Sequence, residues 1–299
     1  MRVVITGAQG FIGTNLVTRL AKKNFDIIAV DKNQPPDKPL GGVMYHQTDL
    51  SHPADLMPDH EEGRQFILIH LAWNTQRNAL FQPQSEQISY LAGILDYWKD
   101  KGLTYLIVTG SAEEYGQRAG TLKEDDGPSG ELSPYGWSKH AAYLLTKTWA
   151  QQNNIPVTWF RPFTVYGAAG QTGQMLIPYA LNKALAKEPA QFTDGRQKRD
   201  FIHIDDVISA IILALHKSPK KFNTINLGSG QPTQVKDIIE SIAVHFQVQS
   251  LFELGAIAQK PNAPPIQIAD INKAIQILNW QPTISIKKGL SLLYKEYIK

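Results

Sequence analysis

The chain alternates short, unbroken apolar runs with longer stretches in which apolar residues recur every three or four positions. A run of the first kind marks a strand covered on both faces, and the second kind marks a helix with one buried stripe. Residues 2–6, Arg-Val-Val-Ile-Thr, read as a buried first strand, after which Ile12, Leu16, Val17 and Leu20 follow at helical spacing. Asp26 to Val30 reads as a second strand ending at Asp31, Asp49-Leu50 closes a third, and Phe66 to Ala72 forms a fourth. A helix then ends near Lys101, and Tyr105 to Thr109 is the fifth strand. Farther on, a helix from Asp206 to His216 has a broad apolar face through Val207, Ile208, Ile211, Ile212 and Leu215, before a strand at Thr224 to Leu227. Val235, Ile238, Ile239, Ile242 and Phe246 form one stripe of the next helix, and Leu290, Leu293, Tyr294 and Tyr297 one face of a closing helix. Strands alternating with helices in this way predict an α/β fold built on a doubly wound parallel sheet.

The first strand runs directly into Gly7-Ala8-Gln9-Gly10-Phe11-Ile12-Gly13. Glycines at positions 7, 10 and 13 permit a tight turn, close backbone approach to a pyrophosphate, and close packing of the helix on the strand. The start of that helix supplies oriented N–H groups to phosphates. Asp31, about twenty residues on, can accept hydrogen bonds from an adenosine ribose and repels a 2'-phosphate, which favours NAD over NADP. Lys32 beside it pulls the other way and leaves NADP open. His70 reads as a strand-end residue near the cofactor, not as a base.

In a parallel sheet, ligands bind beyond the carboxyl ends of the strands, so Ser111, just past the fifth strand, faces the same rim. Ser133-Pro134-Tyr135-Gly136-Trp137-Ser138-Lys139 sets a phenol and an ammonium four residues apart, on one face of a helix. The cation favours phenolate and draws the tyrosine from about 10 towards the range of a general acid/base.

Composition narrows the classes. Of 299 residues, 42% are hydrophobic and 19% charged, which describes a globular chain with a full core rather than a disordered one. The 30 Lys and Arg stand against 27 Asp and Glu, for +3, and the basic residues are scattered, so nucleic-acid binding is not expected. No cysteine is present, which excludes disulfides, a thiol nucleophile and Cys-ligated metal, and no metal site is expected. Without a signal-peptide pattern or an apolar run of bilayer length, the expectation is a cytoplasmic protein away from the membrane.

The glycine turn, Asp31, Leu71-Ala72, Ser111 with Tyr115-Gly116, and Tyr135 with Lys139, taken together and in this order, resemble the extended short-chain dehydrogenase/reductase family, in the branch acting on nucleotide-activated sugars. The resemblance covers essentially the whole chain. It implies a Rossmann-type NAD-binding domain of residues 1–167 plus about 204–228, and a smaller substrate-binding C-terminal lobe of about 168–203 and 229–299. Cofactor contacts are then expected at Gly7, Gly10, Phe11, Ile12, Gly13, Asp31, Lys32, Asp49, Leu50, Leu71, Ala72, Tyr135 and Lys139. Tyr135 is expected as the acid/base, Lys139 as holder of the nicotinamide ribose, and Ser111 as hydrogen-bond partner of the reacting sugar oxygen.

Val157 to Gly167 matches the family's sixth strand and the turn into the substrate region, with Thr164 where the family often has Asn. Sugar-nucleotide contacts are implied at Ser111, Glu113, Thr164, Met175, Ile177, Arg199 and Lys260, with Arg199 pairing the diphosphate. By the same resemblance the protein is expected to be a homodimer, with Leu95, Tyr97 and Trp98 serving either that interface or the core.

Dehydratases of this family place an acid and a base directly after the Ser/Thr; here Ala112 takes the acid's place, and alanine cannot protonate a departing hydroxyl. Reduction of a nucleotide-linked 4-keto-6-deoxy sugar and 4-epimerisation remain, both using Ser111, Tyr135 and Lys139. The runs Gly110 to Tyr115 and Gly255 to Asn262 resemble reductases, and reduction is the leading reading. Asp31 suits an NAD-retaining 4-epimerase, the alternative. A catalytically silent NAD-binding regulator is a third reading, against which all three residues are present.

Overall fold

The computed structural model describes residues 2–57, 59–76, 80–167, 171, 173, 175–217, 219 and 221–297. β1 (Arg2–Thr6) leads into α1 (Phe11–Ala21), β2 (Asp26–Asp31) and β3 (Val43–Gln47). β4 (Phe66–His70), α2 (Phe81–Trp98) and β5 (Leu103–Thr109) follow, then short β6 (Gly120–Leu122) and long α3 (Pro134–Asn153). The middle of the chain forms β7 (Val157–Pro162), β8 (Thr164–Tyr166), α4 (Leu176–Ala186), β9 (Ala190–Phe192), β10 (Lys198–His203), α5 (Ile204–Lys217) and β11 (Phe222–Leu227). The last elements are β12 (Pro232–Gln234), α6 (Val235–Phe246), β13 (Phe252–Leu254), β14 (Ile266–Ala269), α7 (Asn272–Leu278) and α8 (Ile286–Tyr297).

Seven parallel strands form the main sheet in the order β11-β7-β5-β4-β1-β2-β3. The unbroken apolar runs arise because each strand feeds two cores at period two. Val3, Ile5, Ile27, Ala29, Ile67 and Ile69 pack with Leu16 and Val17 of α1 and Val207 and Ile211 of α5. Val4, Ile28, Val30, Phe66 and Leu68 turn the other way, onto Leu91, Ile94 and Trp98 of α2 and Ala142 of α3. Each such side chain contributes about 1.5–3 kcal/mol by leaving water. The order reverses between β1 and β4, so the crevice beyond their carboxyl ends is the topological switch point where ligands bind in open α/β sheets.

A smaller mixed sheet sits beside the first. β10 pairs antiparallel with β12 and parallel with β14 and β8, and β14 pairs parallel with β6. Its own core joins Ile177 and Leu181 of α4, Ile238 and Ile242 of α6, and Leu290 and Leu293 of α8. β6 and β8, which precede residue 168, are therefore strands of this second sheet, and residue 168 itself lies outside the described residues. Among the described residues no helix is long and apolar enough to cross a membrane.

Three expected boundaries are corrected. The third strand stops at Gln47, not at Asp49-Leu50: the Asp49 carboxylate accepts the Ser51 amide N–H at 2.8 Å, a local turn that competes with the ladder. The fourth strand ends at His70, leaving Leu71 and Ala72 in the connection that follows. The helix expected to end near Lys101 stops at Trp98. Leu95 and Trp98 are buried in the core, whereas Tyr97 is 38% exposed, so of the three only Tyr97 offers its ring to a partner.

Candidate active site

The strand ends at the switch point carry the glycine turn. Gly7 has φ +69, and a Cβ there would lie 2.6 Å from the Ala72 backbone nitrogen, so a side chain would close the gap between the β1 and β4 ends. A Cβ at Gly13 would run into the Gly7 carbonyl oxygen. α1 begins at N-cap Gly10 with no side-chain cap, which leaves its first amides for a ligand. Behind the turn, Phe11 and Ile12 pack on the core, as does Leu71.

Asp31 stands at the end of β2, its carboxylate accepting the Gln9 amide N–H at 2.9 Å and the Asn33 amide N–H at 3.0 Å. That ties the acidic residue to the glycine turn, with Lys32 exposed beside it. Asp49 is exposed and Leu50 packs on the core under α2, next to this edge of the sheet. A tight turn held open by two glycines, helix-start amides without a side-chain cap and a carboxylate at the second strand end form a cradle that fits NAD.

α3 starts where it does because Ser133 caps it, accepting the Gly136 amide N–H at 3.0 Å, with Pro134 at the first helical position. The helix then presents Tyr135 and Lys139 to the rim. Lys139 is buried; its Nζ donates to the Thr109 carbonyl at 2.7 Å and lies 3.9 Å from the Trp73 ring centroid and 6.0 Å from that of Tyr135. Burial pulls the Lys139 ammonium down to about 7, and the Glu114 carboxylate opposes the fall. His70 is neutral: burial and then the Lys139 charge push it down to about 3, and its Nδ1 pairs with Thr6 Oγ1 at 2.9 Å. It is thus a strand-end strut, as its position suggested.

Ser111 caps a short 3-10 turn, Ala112–Tyr115, directly past β5. Its Oγ accepts the Glu113 amide N–H at 3.1 Å, and the Glu114 carboxylate reaches back to the Ser111 amide at 2.9 Å. Glu113 Oε2 accepts the Ser133 hydroxyl at 2.9 Å, which joins the Ser111 turn to the start of the Tyr135 helix. Ser111, Tyr135 and Lys139, together with Glu113, therefore meet on one rim beside the glycine turn.

The expected substrate positions are more dispersed. Thr164 lies in β8 and Met175 at the N-cap of α4. Ile177 is packed in the core of the small lobe at 2% exposure, so its side chain is a core element and only its main chain is left for a ligand. Arg199 lies in β10, half-buried; burial lowers its basicity, its Nη1 donates to the Lys198 carbonyl at 2.9 Å, and among the described residues it has no carboxylate partner. Lys260 lines a cavity of about 300 Å³ with Asp194, Arg196, Gln197 and Asn262.

Sequence reasoning overlooked three residues in and under the rim: Trp73, Glu114 and Arg161. Trp73 donates its indole N–H to Gln84 of α2 and Ser138 of α3, both at 3.2 Å, while its face covers Lys139. Glu114 and Arg161 form a buried ion pair at 2.8 Å. A signal was present, because Arg161 is the one charge in the wholly buried strand Val157–Pro162, and such a residue needs a buried partner.

Comparison with known proteins points the same way. The chain is 29% identical to the UDP-glucuronate 4-epimerase of Thermodesulfobacterium geofontis, over 96% of this chain and 93% of that one. It is 27% identical to the UDP-glucuronic acid decarboxylase 2 of Arabidopsis thaliana, over 99% of this chain and 68% of the relative. Among solved structures, the UDP-glucuronic acid 4-epimerase from Bacillus cereus, in complex with UDP-glucuronic acid and NAD, superposes with a TM-score of 0.87 at 27% identity, covering 100% of this chain and 99% of that one. Residues 3–228 match the model of the NAD dependent epimerase/dehydratase family, and with the glycine cradle and the switch-point rim lying inside that span, the chain belongs to this family.

Proposed function

We propose that the protein is an NAD-dependent 4-epimerase of a UDP-linked hexose or hexuronate. The observation that carries this reading is the meeting of Ser111, Tyr135 and Lys139 beside the glycine turn, in a chain similar along its whole length to UDP-glucuronate 4-epimerases. NAD, when bound, accepts a hydride from C4 of the sugar and returns it to the opposite face. Tyr135 takes the proton of the C4 hydroxyl as the hydride leaves and gives it back as the hydride returns. Lys139, one helical turn away, stabilises the Tyr135 phenolate and orients the cofactor's ribose. Ser111 donates its hydroxyl to the C4 oxygen and holds it at hydrogen-bonding distance from Tyr135. Arg199, half-buried and with no carboxylate partner among the described residues, suits a diphosphate in a two-pronged contact. Ala112 argues against dehydration, since it supplies no acid next to Ser111.

Reduction of a 4-keto sugar uses the same three residues and is favoured by the Gly110-Ser111-Ala112-Glu113-Glu114-Tyr115 run. The relatives named as 4-epimerases tip the choice towards epimerisation. The test is to denature the purified protein, quantify released nicotinamide cofactor, and incubate native protein with UDP-glucose or UDP-glucuronate without added cofactor. Near-stoichiometric NAD and appearance of the 4-epimer are expected, with Tyr135→Phe retaining NAD and losing turnover by about 10²–10⁴-fold. A cofactor-free protein that oxidises NADH or NADPH only when given a nucleotide-linked 4-keto sugar would establish reduction instead.

A further inference from the structure

The corner from Thr109 to Ser111 is gripped by two buried charges of opposite sign. Lys139 donates to the Thr109 carbonyl at 2.7 Å, and two residues on, Glu114 Oε1 accepts the Ser111 amide N–H at 2.9 Å. The same oxygen accepts the Trp159 indole N–H at 3.0 Å, and Oε2 accepts Arg161 Nε at 2.8 Å. The Glu114 and Arg161 side chains are 0% and 2% exposed. Arg161 Nη1 donates to the Tyr115 hydroxyl at 3.2 Å and the Glu124 carbonyl at 2.9 Å. A carboxylate taken fully out of water is costly, and a plain cap for a one-turn 3-10 segment does not need one.

We propose that Glu114 is a positioning residue of the hydride-transfer site: its carboxylate fixes the Ser111 corner and sets a buried negative charge beside the backbone that holds Lys139. Both functions follow from its place, since Ser111 and Lys139 are held by the same three-residue corner. Burial draws Lys139 down and Glu114 raises it again. Among the described residues, the other groups around Lys139 do not supply that charge. His70 at the end of β4 is held neutral, Trp73 offers only its ring, and Tyr135 on α3 is the group to be tuned. On the far side of Glu114 stand the Arg161 guanidinium of β7, the Tyr115 phenol and the Glu124 carboxylate, and His140 of α3, which burial and Arg161 hold low.

The proposal rests on reading Tyr135 and Lys139 as the proton-transfer pair, and it holds for epimerisation and reduction alike. Glu114→Gln alone strands Arg161 in the core, so the double variant Glu114→Gln/Arg161→Met is made beside it. Folding is checked by urea unfolding, and the pH dependence of NAD affinity and of UDP-glucuronate turnover is followed. In the folded double variant, the alkaline limb of both profiles is expected to move down by about one pH unit, because Lys139 loses its proton more readily. A folded double variant with wild-type limbs overturns the proposal and leaves Glu114 a structural strut. Lys139→Met keeps the two readings apart. Wild-type NAD affinity and turnover in that variant overturn the proton-transfer pair itself; an inactive Lys139→Met with unmoved limbs in the double variant overturns only the role of Glu114.

Discussion

Lys139 makes a quantitative demand on stability. Its folded value of about 7 lies well below the ordinary 10.5, because burial disfavours the ammonium. The unfolded chain therefore binds more protons at this residue than the folded chain does through the window from about pH 7 to about pH 10.5, and stability rises with pH across it. At pH 7 about half of the folded Lys139 is charged against nearly all of the unfolded, a penalty of about 4 kcal/mol; at pH 9.5 the penalty falls to about 1 kcal/mol. Lys139→Met removes the titrating group and keeps most of the stem. The bond to the Thr109 carbonyl is lost at every pH, so it cancels when two pH values are compared. The variant's stability relative to wild type should accordingly be more favourable at pH 7 than at pH 9.5 by about 3 kcal/mol. Urea unfolding of cofactor-stripped wild type and variant at the two pH values measures the difference directly. Parallel pH profiles would refute the reasoning, because they would mean that Lys139 carries no burial penalty when folded.

Other outcomes follow from single contacts. Gly7→Ala places a methyl 2.6 Å from the Ala72 nitrogen at a φ of +69, and should cost more than about 2 kcal/mol of stability and at least tenfold in NAD affinity, both read by thermal unfolding with and without NAD. Arg199→Met should raise KM for a UDP-sugar by about 10–100-fold with kcat largely kept, as loss of a charged hydrogen-bonded contact implies; a fall in kcat at unchanged KM would remove Arg199 from the diphosphate contact.

The parts of this molecule legible in its sequence are those written in local pattern. The strands of the main sheet can be read because burial on both faces makes their apolar runs unbroken, and the glycine turn because it joins a strand to a helix at fixed spacing. Tyr135 and Lys139 could be placed together because one helical turn separates them. What escaped depends on distant residues. The partnership of Glu114 with Arg161 spans 47 positions and leaves only the mark of a charge in an apolar strand. Thr164 to Tyr166 reads locally as the tail of the sixth strand, yet its register is set by β10. The end of β3 was missed because the Asp49 side chain, and not apolarity, decides where pairing stops. Reduction and epimerisation share one set of catalytic groups, so the residues alone do not separate them.

The second sheet carries a consequence for how the chain is made. β6 pairs with β14, Gly120 lying against Gln267, and β8 pairs with β10. A ribosome delivers β6 long before its partner, so its backbone groups wait unpaired while more than a hundred further residues are synthesised. The early product carries a strand edge open to strangers, and the gap closes only when Ile266–Ala269 of β14 arrive. Completion of the second sheet is thus a late event in synthesis, and a chaperone that shields the β6 edge until β14 has been made would act on the stage at which that edge is open.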